Sequence, residues 1–489
     1  MPVRRVATVL ALAVAAFAAE PVSIEHRFAE LRTNPQELHA FLYKMPKGGD
    51  LHNHLSGAVY AENFLEAAAD RHLCVDKTAL ALLSTTTCAA GQVDAATIRS
   101  DNDLRNALID SFSMRNFVPG KESGHDHFFD TFNKFGALSS GEFVAEVAQR
   151  AADQNESYVE LMALSGGSAT ALGRSVGLSS DFEETRKKLE AAGLGQQVAA
   201  LRGSVDRMEK TRIEKLGCGE HPGSAACRLD VRYVFQVLRE FPKEQVFAEV
   251  IAGFAIAAAD PRVVAVNFVQ AEDGYYSMHD YHLHMQMVDY AKKIYPGVHL
   301  TLHAGELAPG LVPPDGLTFH IREALELGHA ERIGHGVDLM YEKDPAGLLK
   351  EMRDRHVDVE INLTSNDGIL GIKGNQHPFP DYRRAGVPVT LSTDDEGVNR
   401  SDLTEEFERA VLTYHLTYAD LKEMVRNSIQ YSFAAGRSYW KDAKYTTVVP
   451  ACAAGRKTAD CKAYLEKNEK ARLGADLEER FAAFERSSN

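Results

Sequence analysis

Asp50-Leu51-His52-Asn53-His54-Leu55 reads as a short β-strand that ends at Ser56-Gly57. Pro46-Lys47-Gly48-Gly49 separates it from Ser23 to Tyr43, where Ile24, Phe28, Leu31, Leu38, Phe41 and Leu42 recur at helical spacing. Seven further strand-like runs follow: Tyr158–Met162, Val231–Val237, Val263–Val269, His299–Ala304, Arg332–His335, Val357–Asn362 and Val387–Thr393. Segments of helical length and spacing lie between them, such as Asp280–Tyr295 and Thr318–Leu327. Strands alternating with helices imply parallel βα units. Eight of them predict an α/β protein built as a TIM (β/α)8 barrel. A doubly wound open sheet is the alternative, but no GxGxxG turn follows an early strand.

The barrel is expected over residues 45–440, preceded by a helical segment at 19–44. It carries an insertion after the second strand, at about 165–228, which reads as an added subdomain or lid. Extra C-terminal helices fill 441–489, with their charges on a solvated face. Phe112, Phe117, Phe128, Phe129, Phe132 and Phe135 recur at helical spacing, which favours core over lid.

Arg4-Arg5, the apolar run Val6 to Ala15 and Ala16-Phe17-Ala18 read as a signal peptide over residues 1–18. The run is too short for a membrane span, so an exported protein, periplasmic or secreted, is expected. The six cysteines agree with export. Short loops close most readily, which favours Cys74 with Cys88, Cys218 with Cys227 and Cys452 with Cys461. The net charge of −15, from 54 basic and 69 acidic side chains, argues against nucleic-acid binding. A small-molecule partner is expected instead.

Residues at the C-terminal ends of barrel strands converge on one site. His52 and His54, two apart in a strand, share a face. Strand five ends in His303-Ala304-Gly305-Glu306, strand six in Gly334-His335-Gly336 and strand eight in Thr393-Asp394-Asp395. Three histidines, a carboxylate and an open position suit one Zn²⁺. His125-Asp126-His127 and His282-Leu283-His284 are also HxH triplets, but they lie in helical contexts, where such residues diverge. His320, His329 and His377 have no partner pattern and are expected in ordinary structural roles.

With its HxH, HAGE, RIGHG (Arg332–Gly336), TSN (Thr364–Asn366) and TDD motifs in this order, the chain resembles the adenosine deaminase family. Met45 to His54 is similar to the extracellular, growth-factor-type branch, and the matching motifs run from about Met45 to Phe407. The resemblance implies His52, His54, His303 and Asp394 as zinc ligands. It implies Glu306 as the proton donor to the purine ring, His335 as the residue orienting the attacking hydroxide, and Asp395 as a base-binding residue. The reaction implied is hydrolytic deamination of adenosine, and of 2′-deoxyadenosine, to the 6-oxopurine nucleoside and ammonia, by zinc-hydroxide attack at C6.

Two positions depart from the family's pattern. Ser56 stands where its nucleoside deaminases usually carry an Asp that holds ribose hydroxyls. Gln270 stands where they usually carry a Gly whose N–H reaches purine N3. Both remain candidate substrate-binding positions. A homodimer is left open, although the short segment before Met45 argues against pairing through the N-terminal arm of that branch.

Deamination of another adenine-containing compound is the alternative. A non-deaminase amidohydrolase is disfavoured by the HAGE glutamate and the doubled aspartate. A two-metal barrel hydrolase generally wants a bridging lysine at the end of a middle strand, and strand four ends in Gln270. An extracellular binding or growth-factor-like protein is disfavoured because every catalytic position is filled. The absence of PCxxC excludes the Cys-ligated nucleobase deaminases.

Overall fold

The computed structural model describes residues 23–136 and 141–488. The expected signal peptide lies outside these residues. Eight parallel strands form one sheet: β1 (Gly48–His54), β2 (Glu156–Ser165), β3 (Asp230–Leu238), β4 (Val263–Val269), β5 (His299–Ala304), β6 (Arg332–His335), β7 (Asp358–Ile361) and β8 (Val389–Leu391). They hydrogen-bond in sequence order. The last and first are joined just beyond β8, where His54 N–H donates to Asp394 O and Asp394 N–H donates to His52 O. The barrel is thus closed by three of the candidate site residues. Its strands are buried on both faces, as parallel strands under a ring of helices must be.

All eight strands fall where the sequence places them, with β7 and β8 trimmed at their ends. The N-terminal segment instead breaks into two helices, Ile24–Leu31 and Pro35–Lys44. Pro35 lacks the N–H that a helix interior needs and sits at the first turn, where Asn34 Oδ1 accepts from Glu37 N. A three-stranded antiparallel sheet, Cys74–Asp76, Ala81–Leu83 and Gln92–Asp94, was not expected at all. Its strands are only three residues long, too short to show an alternation. The three disulfides join the expected nearest-neighbour pairs, Cys74–Cys88, Cys218–Cys227 and Cys452–Cys461.

The 165–228 insertion folds into the helices Ser168–Val176, Phe182–Ala191, Leu194–Lys215 and Ala225–Arg228. It is not a lid. The helix Ser168–Val176 packs on Lys243–Ala259, and Leu194–Lys215 packs on Gly141–Asp153, so the insertion clothes the flank of the barrel. The tail is likewise more than a solvated face. Its last helix, Glu469–Ser488, buries Leu473, Leu477, Phe481 and Phe484. It also places the Arg480 guanidinium on the Asn155 and Glu156 carbonyls at the start of β2.

Candidate active site

β1 turns His52 and His54 to one face of the strand, and β5 brings His303 opposite them. His52 Nε2 and His54 Nε2 each stand 3.1 Å from His303 Nε2 and 3.3 Å from Asp394 Oδ1. Ligand atoms held tetrahedrally at about 2.0–2.1 Å from zinc are about 3.3–3.4 Å apart. Gly334 leaves room for the His52 ring, which any Cβ at that position would strike. The four donors fit one divalent metal ion.

The far nitrogens explain why the near ones face inward. His52 Nδ1 lies 2.6 Å from Glu360 Oε2, His303 Nδ1 3.0 Å from Asn267 Oδ1, and His54 Nδ1 3.3 Å from Gln236 Oε1. In each pair the ring donates, which fixes the Nδ1–H tautomer and leaves the Nε2 lone pair for the ion. Ser365 Oγ donates to Asp394 Oδ2 at 2.6 Å, leaving Oδ1 toward the histidines. These supporting residues went unread in the sequence. A polar residue inside a buried parallel strand, as with Asn267 in β4 or Glu360 in β7, was the available signal.

His335 also comes within reach of His52, His303 and Asp394. Its Nδ1, however, faces the amide nitrogens of Asn366 at 2.9 Å and Asn362 at 3.4 Å. His335 (φ +71°) and Asp394 (φ +59°) both hold left-handed backbone at their strand ends. Such conformations cost of order 1–3 kcal/mol in a non-glycine residue.

Glu306 is aimed by its backbone. Gly305 at φ +75° makes a turn in which a Cβ would strike Asp338 and Ile321. Both following N–H groups are held by Glu272: Gly305 N donates to Oε1 at 3.0 Å and Glu306 N to Oε2 at 2.7 Å. His320 Nδ1 pairs with the same carboxylate, so this histidine braces the HAGE turn. Burial, and then the neighbouring Asp394 carboxylate, push the Glu306 carboxyl up to about 8. The same two causes hold the Asp395 carboxyl well above the usual carboxylate range. Two acids can therefore be neutral, proton-bearing groups beside the metal donors at neutral pH.

These groups floor a cavity of about 480 Å³ at the C-terminal ends of the strands, lined also by Leu238 and Val269. Phe128, Phe129 and Phe132 from the helix Gly124–Phe135 line it too. That helix was expected as core, and Phe128 and Phe135 are indeed buried, but its other aromatics face the cavity. Ser56 and Gln270 also line the cavity. Gln270 stands at φ +80°, and its side-chain oxygen accepts from Glu240 N at 2.9 Å, so the amide braces the β3 and β4 loops.

His125, expected in an ordinary role, lines the cavity as well, and its Nε2 pairs with Asp273 Oδ1 at 2.9 Å. This contact ties the Phe-bearing helix to the loop after β4. Burial acts against protonation, but hydrogen bonds to Asp273 and Asp126 overcome it and raise His125 to about 9. The pair's contribution is whole below the ordinary imidazole value near 6.5 and is lost as the pH rises through about 9. The KM should accordingly rise by up to about fivefold across that interval, the worth of a part-exposed ion pair. His125→Gln should show the raised KM already at neutral pH with no further step; a wild-type KM flat to pH 10 would contradict the latch.

The adenosine deaminase family model matches residues 202–439. Over that stretch the chain is similar to the adenosine deaminase family. An adenosine deaminase of Clostridium perfringens is 35% identical over 140 residues, 28% of this chain and 39% of that enzyme. The chain thus aligns with well under half of that relative's length. Two solved structures share the fold. An amidohydrolase with bound Zn from Burkholderia ambifaria superposes with a TM-score of 0.53 at 18% identity, covering 96% of this chain and 98% of that one. The apo N6-methyl-AMP deaminase of Arabidopsis thaliana gives 0.51 at 19% identity, covering 81% and 94%.

Proposed function

We propose that the protein is a zinc-dependent hydrolytic deaminase of neutral adenine nucleosides, adenosine and 2′-deoxyadenosine. His52, His54, His303 and Asp394 would hold the ion, and a zinc-bound structural neighbour supports that choice of metal. When bound, zinc lowers the pKa of a water toward neutrality and so supplies a nucleophile.

The chain's own groups do the rest. The neutral Glu306 carboxyl gives its proton to purine N1, which makes C6 electrophilic. His335 hydrogen-bonds the incoming oxygen and fixes its line of approach. Asp395, whose proton-bearing form burial favours, donates to N7 on the other edge of the base. The oxygen adds at C6, the amino nitrogen takes up one proton of the water as the C6–N6 bond breaks and ammonia leaves, the other water proton restores Glu306, and a 6-oxopurine protonated at N1 remains.

The observation that carries the choice of nucleoside is the charge of the cavity wall. It contains Glu240, Glu306, Asp394 and Asp395, and no lysine or arginine among the described lining residues. Two unit charges about 4 Å apart interact by about 4 kcal/mol at an effective dielectric of 20. A phosphate dianion here would meet the Glu240 carboxylate, while the cationic side chain of the described wall, His125, is already paired with Asp273. Formation of the 6-oxopurine product should therefore be at least about 100-fold faster, in kcat/KM, from adenosine than from AMP or N6-methyl-AMP. Equal or better turnover of the nucleotides would refute the assignment. We also propose that the enzyme works in an oxidising compartment. Its three disulfides support this, and no helix among the described residues is long and apolar enough to cross a membrane.

A further inference from the structure

His377 lies beyond β7, between the turn Gly374–Gln376 and the helix Phe379–Ala385. It is 1% exposed, and its sequence context has no partner pattern, so an ordinary packed histidine was expected there. Its hydrogen bonds form a directed chain instead. Phe379 N–H, which can only donate, points at His377 Nδ1 at 3.1 Å. That nitrogen is therefore the acceptor, and a neutral ring must carry its proton on Nε2. Burial and the nearby Arg409 lower His377 to about 4, which keeps the ring neutral.

His377 Nε2 in turn lies 3.0 Å from Asn366 Oδ1. A donor there fixes the orientation of the Asn366 amide, because its oxygen must face His377. The amide nitrogen is left to donate to His335 Nδ1 at 2.9 Å. Asn362 Nδ2 approaches the same atom at 3.4 Å. Glu306 Oε1, the competing acceptor, is 3.7 Å away and out of hydrogen-bond range.

We propose that His377 and Asn366 are positioning residues that lock His335 in its Nε2–H tautomer, with that proton facing the reaction centre. His335 Nε2 is buried and has no hydrogen-bond partner among the described residues, as expected of a donor reserved for a reactant. The contrast with the three ligand histidines is chemical. Their Nδ1 atoms face a carboxylate or amide oxygens, so their Nε2 atoms present lone pairs. The Nδ1 of His335 faces amide donors, so its Nε2 presents a proton. The relay thus separates the donor histidine from the ligand histidines, although all four gather at one centre. Its kinetic consequence rests on the deaminase reading, whereas the tautomer itself does not.

The test is ¹⁵N NMR of imidazole-labelled, zinc-loaded protein, with the His335 signals assigned by their loss in His335→Gln. Wild type should show His335 with the proton on Nε2. Asn366→Asp keeps the size of the side chain but presents a carboxylate to Nδ1. It should move the proton to Nδ1 and lower kcat by about 10²-fold or more, with KM and zinc content little changed. His377→Gln, whose amide can still donate to Asn366 Oδ1, should keep the Nε2–H signature and most of kcat.

A wild-type Nδ1–H tautomer would overturn the proposal. So would an Asn366→Asp variant that retained the wild-type tautomer, whether or not its rate fell. If no adenine compound were turned over at all, the spectra would still decide the tautomer, so failure of the activity reading stays distinguishable from failure of the relay.

Discussion

Glu306→Gln lowers kcat by about 10³-fold or more while the protein keeps its full complement of zinc, the upper part of the range for a lost proton donor. The side chain is not one of the four inward-facing donors, so metal binding is spared. Its backbone N–H stays on Glu272, so the turn is spared as well. What disappears is an acid that can give its proton to a ring nitrogen. An amide can hydrogen-bond N1 but cannot protonate it, and without that proton C6 remains a poor electrophile. Because the lost interaction is confined to the transition state, kcat and kcat/KM should fall together. Single-turnover rates with metal analysis on the same preparation check this. Retention of more than about a tenth of the wild-type rate would remove Glu306 from the chemistry.

The positions that this argument uses were readable before any coordinates, and the supporting ones were not, for one physical reason. In a parallel barrel a strand end has one destination, the C-terminal mouth. A histidine or acid at such an end therefore carries its location in its sequence context. His52, His54, His303, Glu306, His335, Asp394 and Asp395 all benefited from that rule. The partners that orient them do not sit at strand ends. Glu360 is 308 residues from the His52 it holds, and Glu272 is 48 from His320. Nothing local to either residue announces the pairing.

His125 shows the same limit from the other side. Its neighbours His127 and Asp126 give a helical triplet with no metal geometry, which was read correctly. Its link to Asp273, 148 residues away, depends on how the Phe-bearing helix is laid across the mouth. The insertion was left open between subdomain and lid for a related reason. Length and charge show that the 165–228 segment is extra, but they do not say whether extra helices sit over the mouth or on the flank.

Glu360→Gln should be costly in two separable ways. Its carboxylate holds His52 Nδ1 at 2.6 Å, accepts from Thr301 Oγ1 at 2.7 Å, and pairs with Arg332 Nε at 2.5 Å. All of this occurs at zero side-chain exposure for Glu360. Burial works to raise this carboxyl, but Arg332 and then the His52 hydrogen bond overcome it and hold it at about 2. The stabilisation is therefore whole above about pH 4.5 and is lost as the pH falls through about 2.

Gln removes the charge at every pH and leaves the buried Arg332 with Glu160 as its remaining carboxylate partner. Removing one member of a buried pair costs about 3–5 kcal/mol, which denaturant unfolding of the metal-free protein would register at pH 7. The His52 imidazole also loses the anion that makes it a strong ligand, so zinc affinity measured against a competing chelator should drop by about 10–100-fold. The two readouts are independent because the first is taken without metal. Wild-type zinc affinity in a destabilised Glu360→Gln protein would mean that Glu360 serves the barrel core through Arg332 and not the metal centre through His52.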